Sequence, residues 1–451
     1  MSAFPPDLFA GKRFAVVGLG RNGAPAVHAL RAMGAEVAAW DDRVRPDGID
    51  LRDPTAEIAA FDALVLSPGI PHRFPAPHPI AAAALAASVP VWSDAELLFQ
   101  AVRAAGSRAR FMGITGTNGK STTTALLAHI AATAGVAHAA GGNLGPAALS
   151  LPLLDHQGLY ILEMSSYMLE RLATVSFDSA AMLNLSPDHL DRHGGMAGYL
   201  AAKRQIFARQ NASALAVVGI DDAFSRDMAD AVAGPKVVRV SGGRRADVWV
   251  GNGILMDRDG PILAMAEAHA LPGSHNAQNA AAAAALAAGL GIPRAAVARG
   301  IASFGGLPHR QQRVATVDGI SYIDDSKATN ADAAARALGC YDRLVWIAGG
   351  QAKAGGIAAL TPLFPRVAHA VLIGQDAPLL AAQLAEAGVP HTMALTLEAA
   401  VPLAHDLARL TASPVVLLSP ACASFDQFSG FEARGQRFAA LACALSSAEA
   451  A

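Results

Sequence analysis

The segment Gly113–Thr122, GITGTNGKST, separates an apolar run from a Thr- and Ala-rich helical pattern. A strand ending in a glycine-rich turn and followed at once by a helix is the layout of a phosphate cradle. Successive backbone N–H groups and a helix N-terminus surround phosphate oxygens, and a lysine reaches the outer ones. Lys120 would supply that charge and Ser121 a hydroxyl for Mg²⁺. The glycines stand at 113, 116 and 119, whereas the usual P-loop spacing wants its first at the position of Ile114. The segment is read as an ATP site.

Outward from the cradle, short β-branched runs alternate with Ala/Leu-rich helical patterns along the whole chain. That alternation predicts an α/β fold of parallel sheets covered by helices. The pattern restarts at Gly-rich strand-to-helix turns, which divides the chain into three blocks: 1–100, 101–307 and 308–451. The first opens with strand RFAVVG, turn GLGRNG, a helix stopped by Gly34, and strand EVAAWD. The second runs from the cradle to FGGLPHR. The third begins near VATVDGISYIDDSKATN and holds four further strand candidates, RLVWIAGG, AHAVLIG, HTMALT and PVVLLSP.

Bulk properties exclude several classes. Apolar residues make up 53% and charged residues 16%, which suits a packed enzyme rather than a disordered chain. A net charge of −2 gives no electrostatic footprint for nucleic acid or an anionic membrane. Three cysteines, Cys340, Cys422 and Cys443, are too few and too scattered for a disulfide framework or a zinc site. The start lacks the order of a signal peptide, and the longest apolar run, Ala280 to Ile292, is short of a membrane span. The expectation is a cytoplasmic protein with no nucleic-acid or membrane partner.

GLGRNG, with Gly18, Gly20 and Gly23, also matches the dinucleotide fingerprint, and Asp41 closes the next strand where a ribose-binding acid belongs. Read alone it would suggest an NAD-dependent oxidoreductase. Beside an ATP loop it fits a nucleotide-linked substrate better, because the fingerprint specifies a phosphate near a helix N-terminus more securely than a cofactor. In the middle block Glu163 ends the strand LYILE, placing a carboxylate at the sheet edge. His189 follows NLSPD, where Ser186 and Pro187 read as N-cap and first helical residue, so His189 is expected in the first helical turn. Glu163 and His189 could together hold a second Mg²⁺, although histidine is an unusual ligand for so hard an ion. Lys203, by spacing alone, is a surface charge on an amphipathic helix.

The strings GITGTNGKST, GGNLG, LEMSSYMLE, NLSPDHLDRH, YLAAKRQIF, GSHNAQNAAAA, GLPHR, DDSKATN and LLSPACASFDQF together resemble the ATP-dependent amino-acid ligases of bacterial cell-wall precursor synthesis. The resemblance covers nearly the whole chain. It implies a Rossmann-like N-terminal domain holding a UDP-linked substrate, a central P-loop ATPase-like domain, and a Rossmann-like C-terminal domain that brings in the amino acid. It also implies ATP and two Mg²⁺ ions, UDP-N-acetylmuramoyl-L-alanine and D-glutamate as substrates, and a monomer. Residue by residue, it places Thr117, Asn118, Gly119, Lys120, Ser121, Thr122 and Thr123 on the ATP phosphates. Ser121, Glu163 and His189 are placed at the metals, and Lys203 as a lysine that becomes carbamylated. Asn276, Asn279, Arg310, Asp325 and Lys327 match ATP-side contacts. Lys120, His189, Lys203 and Arg310 are the expected catalytic groups. Gly18, Leu19, Gly20 and Arg21 match the substrate diphosphate loop, Asp41, Ser67 and Gly69 the uracil pocket, and Asn143 a substrate contact. Thr329, Lys353, Ser424 and Phe431 match the D-glutamate pocket. The chain departs from the family's common pattern at Gln311 and Gln312 after GLPHR, at Asp42, and at Gln351. Folylpolyglutamate synthases share the cradle but generally lack the first block, and a non-catalytic nucleotide-binding regulator would predict ATP binding without turnover.

Overall fold

The computed structural model describes residues 2–353 and 355–448. Three sheets are distributed over two compact units, Met1–Phe304 and Gly305–Ala451. The first unit holds two of the sheets, and the helix Asp94–Ala104 runs from one to the other across residue 100.

The first sheet is built from β1 (Arg13–Val17), β2 (Glu36–Trp40), β3 (Ala63–Leu66) and β4 (Val91–Trp92). They are all parallel, in the order β2-β1-β3-β4. The chain steps to one side of β1 and then to the other, so the order reverses between β1 and β3. Ligands of open α/β sheets bind in the crevice at such a reversal, beyond the carboxyl ends of the strands. Gly18 and Ser67 are the residues that follow those two strands. Gly34 has φ +84°, the left-handed conformation that stops the preceding helix.

The second sheet contains β5 (Arg110–Thr115), β6 (His138–Gly142), β7 (Leu159–Glu163), β8 (Ser179–Met182), β9 (Leu215–Gly219), β10 (Lys236–Ser241), β11 (Val248–Gly251), β12 (Ile254–Asp257) and β13 (Gly260–Ala264). Its order is β13-β12-β11-β10-β9-β8-β5-β7-β6. Here the reversal flanks β5, whose carboxyl end carries the cradle between the ends of β7 and β8. The apolar helix Ser274–Gly289 is buried on nearly every side because it packs between this sheet and the helix Lys120–Thr133. Among the described residues no helix is long and apolar enough to cross a membrane.

The second unit is described by itself. Strands β14 (Gln312–Val317), β15 (Ile320–Asp324), β16 (Leu344–Gly349), β17 (Val367–Ile373), β18 (His391–Leu395) and β19 (Val415–Leu418) lie in the order β14-β15-β19-β16-β17-β18. The run LVWIAG is apolar throughout because both faces of β16 are covered. Leu344, Trp346 and Ala348 enter one core, and Val345 and Ile347 the other.

The sheets are not parallel throughout, as the strand–helix alternation had suggested. β12, β13 and β14 run antiparallel to their neighbours. Two of the three hairpins turn on two residues with positive φ, Asn252-Gly253 (+50° and +74°) and Asp318-Gly319 (+50° and +77°). Such turns match the right-handed twist of a hairpin and leave no room for a crossover helix.

Candidate active site

The cradle forms as its residue types dictate. Gly119 adopts φ +81° immediately before the helix that starts at Lys120, and a Cβ there would lie 2.2 Å from Asn279 Oδ1. Asn279 is itself held, donating from Nδ2 to Asn276 Oδ1 at 3.0 Å. Two loop amides are tied down by one residue: Thr117 N donates to Asn184 O at 2.8 Å and Asn118 N to Asn184 Oδ1 at 2.9 Å. Gln278 accepts from Asn184 Nδ2 at 3.0 Å and donates to Asp221 at 2.9 Å, which fixes the orientation of both amide groups. The Lys120 ammonium donates to the carbonyls of Gly116 (3.0 Å) and Thr117 (2.9 Å). Ser121 and Thr123 are buried, and Thr122 is partly exposed.

Lys203 lies beneath this loop with 2% of its surface exposed. Its ammonium donates to Thr115 Oγ1 at 2.9 Å and to Gly116 O at 2.7 Å. Burial, reinforced by the charge of Lys120, holds its pKa well below the usual lysine value. The surface position suggested by spacing is therefore wrong. Tyr199, one helical turn earlier, explains the inward face: its ring lies 5.4 Å from the Lys203 nitrogen and its hydroxyl 3.0 Å from Thr117 Oγ1.

Glu163 is 1% exposed at the end of β7. Its Oε1 accepts from Asn143 Nδ2 at 2.6 Å, while Oε2 is buried without a hydrogen-bond partner. A buried carboxylate oxygen with no donor is costly unless a cation or water completes it, so Glu163 fits a metal ligand. Among the described residues no group of three or more His, Cys, Asp or Glu side chains could hold a metal by itself. The donors would have to include the Ser121 hydroxyl, phosphate oxygens and water, which is how Mg²⁺ is usually held.

His189 departs from expectation. The short helix begins only at Leu190, and His189 precedes it with φ +51°. A left-handed residue cannot lie inside a right-handed turn, so Ser186 and Pro187 do not start the helix. The ring is half-exposed, 3.5 Å from Asp188 and 5.1 Å from the Tyr167 ring, and it does not pair with Glu163.

At the other reversal, between β1 and β3, a cavity of about 610 Å³ is lined by Gly18, Gly20, Arg21, Asp41, Ser67, Gly69 and Asn143, among others. Six of these seven come from the first block; Asn143 comes from the second. Ser67 Oγ donates to Gly18 O at 2.6 Å, stitching the two loops together. Leu19, the remaining member of the expected diphosphate loop, is buried, and its N–H donates to Asp41 Oδ2 at 2.6 Å. Arg43 N and Val44 N each donate to Asp41 Oδ1 at 2.8 Å. Burial alone would raise the Asp41 pKa, but these three donors outweigh it and hold the carboxyl below its ordinary value. Asp42 pairs with His78 and with Trp40 Nε1, each at 2.9 Å.

In the second unit, Arg310, Asp325, Lys327, Thr329, Lys353, Ser424 and Phe431 all follow or adjoin the carboxyl ends of β15, β16 and β19, or precede β14. Asp325 is buried, accepting from Ser419 Oγ at 2.7 Å and from Gln311 N at 3.2 Å. Burial pushes its carboxyl up to about 7 against the pull of these donors and of Arg310. The Lys327 ammonium sits 5.1 Å from the Phe431 ring, and Ser326 Oγ donates to Phe431 O at 2.9 Å. Ser424 is buried, whereas Lys353 is exposed.

Asn184, Tyr199 and Gln278 order the cradle; they lie within the strings NLSPDHLDRH, YLAAKRQIF and GSHNAQNAAAA, but sequence reasoning gave them no role. The further signal was position: Asn184 just after a strand, Tyr199 one helical turn before Lys203, and Gln278 next to Asn279.

A P-loop at the carboxyl end of one α/β sheet, with a nucleotide-sized crevice at the strand-order reversal of another sheet in the same unit, defines a nucleoside-triphosphate-dependent enzyme class. Comparison with known proteins narrows this. Residues 114–287 match the Mur ligase middle domain and residues 309–422 the Mur ligase glutamate ligase domain. The chain is 47% identical over 444 residues to the UDP-N-acetylmuramoylalanine–D-glutamate ligase of Paramagnetospirillum magneticum, covering 96% of each chain. It is 43% identical over 451 residues to the ligase of the same name from Caulobacter vibrioides, again covering 96% of each. A crystal structure of MurF from Acinetobacter baumannii shares the fold, with TM-score 0.59 at 20% identity over 97% of this chain and 91% of that one. The chain belongs to the Mur ligase family, among relatives that carry the name D-glutamate ligase.

Proposed function

We propose that this protein is an ATP-dependent ligase that joins D-glutamate to UDP-N-acetylmuramoyl-L-alanine, acting as a monomer in cytoplasmic peptidoglycan precursor synthesis. The domains are 1–100 for the UDP-linked substrate, 101–307 for ATP and 308–451 for the amino acid. A carboxylate is a poor acceptor for an amine. Transfer of the γ-phosphoryl group to the terminal carboxylate gives an acyl phosphate. The glutamate amine then attacks, and phosphate leaves through a tetrahedral intermediate. Phosphoryl transfer is mainly a matter of position and charge. Thr117–Thr123 and the helix N-terminus receive the triphosphate, and Lys120 and Arg310 offset charge on the group in flight. Asn276, Asn279, Asp325 and Lys327 hold the rest of ATP. Gly18–Arg21, Asp41, Ser67, Gly69 and Asn143 hold the UDP-linked substrate, and Thr329, Lys353, Ser424 and Phe431 the D-glutamate.

The observation that carries this reading is Lys203. An ammonium buried beside Lys120 is out of place as a structural cation. A neutral amine there adds to CO₂, losing one proton and forming a carbamate. The carbamate adds hard oxygens to those of Glu163 and Ser121 for two Mg²⁺ ions, where His189 offers only a nitrogen. When bound, Mg²⁺ neutralises phosphate charge.

Phosphate release with UDP-N-acetylmuramoyl-L-alanine, with and without D-glutamate, tests the proposal. Release should require both partners and should not follow L-glutamate. Lys120→Ala should lower the rate about a hundred- to thousand-fold, the usual effect of removing one aimed charge. A variant keeping a tenth of the activity would remove this role from Lys120. Binding of nicotinamide cofactor without phosphate release would favour the oxidoreductase reading.

A further inference from the structure

Outside the residues assigned above, a buried polar cluster stands where the middle sheet meets the first. It is centred on Glu170 and Arg171, the seventh and eighth residues after Glu163 along the chain. Arg171 is 2% exposed. Its Nη1 donates to Leu66 O at 2.7 Å and Ser67 O at 3.0 Å, and its Nη2 to Ile70 O at 2.5 Å. One guanidinium thus holds three carbonyls of a single loop, and Arg192 reaches the same Ile70 carbonyl at 3.2 Å. Glu170 supplies the countercharge, 3.3 Å from His72, 3.4 Å from Arg192 and 3.4 Å from His193.

The loop held in this way contains Ser67 and Gly69, which line the cavity at the β1/β3 reversal. Its Ser67 hydroxyl in turn donates to Gly18 O, so fixing the loop also fixes the glycine turn opposite. Gly18, with φ +89°, has no slack: a Cβ there would lie 2.6 Å from both Ser67 Cβ and Ile70 Cδ1. A guanidinium with several donors in a rigid fork can fix such a loop, whereas a lysine offers one flexible point charge.

We infer that Arg171 is a positioning residue for the nucleotide end of the UDP-linked substrate: it belongs to the ATP-binding block yet sets both walls of the substrate cavity. The inference rests on the proposed identity of that cavity's ligand. It deepens the proposed function by linking the substrate loop to the segment that carries Glu163.

The test uses the full chain, with UDP as probe in calorimetric titration and steady-state kinetics for the complete reaction. Arg171→Lys and Arg171→Gln should each raise the Kd for UDP, and the KM for the UDP-linked substrate, by tenfold or more. The KM for ATP and kcat at saturation should stay within twofold. A merely structural role would instead move all constants together with the melting temperature, and that result would overturn the inference. So would a UDP Kd within twofold of the unsubstituted protein in whichever variant folds. Failure of the unsubstituted protein to bind UDP would overturn the reading of the cavity itself and the inference with it.

Discussion

At the scale of single residues, Asp325 shows how burial sets protonation. The carboxyl lies on a strand end with Ser419 and Gln311 as donors, yet burial raises its pKa to about 7. The folded value lies above the unfolded one, so the native state holds the proton more tightly. This contribution to stability is complete below the unfolded pKa and is lost as pH rises through about 7. A shift of this size corresponds to at most about 4 kcal/mol. Asp325→Asn keeps a carbonyl acceptor and removes the ionisation. Its melting temperature relative to the unsubstituted protein should therefore climb between pH 4 and pH 7 and level off above. A difference independent of pH would show that Asp325 is not protonated in the fold. Lys203 carries the same lesson for reading a sequence. Helical spacing placed it on the surface because nothing local distinguishes an outward lysine from one folded under a loop. Only the tertiary position of Tyr199 and the cradle makes it an interior amine.

At the scale of elements, the strand–turn–helix around the cradle was legible because glycine chemistry dictates it. The left-handed Gly119 and the abrupt helix start at Lys120 are local necessities. Gly119→Ala would add left-handed strain of about 1–2 kcal/mol. It would also drive a Cβ to 2.2 Å from the Asn279 Oδ1, which cannot swing away without releasing Asn276. Affinity for a non-hydrolysable ATP analogue should fall about tenfold or more, measured by calorimetry, while UDP binding at the other crevice should be unaffected. Unchanged ATP-analogue affinity would show that the loop tolerates a side chain there. The misread elements failed for equally local reasons. Asn252-Gly253 and Asp318-Gly319 are hairpin signals that the prevailing strand–helix rhythm concealed. The helix after NLSPD starts later than Ser186 and Pro187 suggest, because His189 adopts a conformation that residue type alone does not announce.

At the scale of the whole molecule, each compact unit closes its own cores. In Gly305–Ala451 the six-stranded sheet is covered on both faces, with Trp346 and Phe364 on one side and Tyr322 and Phe438 on the other. A domain of about 150 residues buries roughly 70% of its unfolded surface, enough for independent stability. The buried Arg434 ties that unit together from within, donating to the carbonyls of Ser326 (2.9 Å) and Cys422 (3.1 Å). The fragment 305–451, produced alone, should therefore unfold in one cooperative transition by circular dichroism and leave a hydrophobic dye unbound. It should yield no phosphate from ATP, because Lys120, Glu163 and Lys203 lie in the other unit. The fragment 1–304 should retain UDP binding, since the cavity at the β1/β3 reversal is built entirely within it. A gradual melt or dye binding by 305–451 would mean that its fold depends on the rest of the chain. The division into self-sufficient units would then hold for geometry and not for stability.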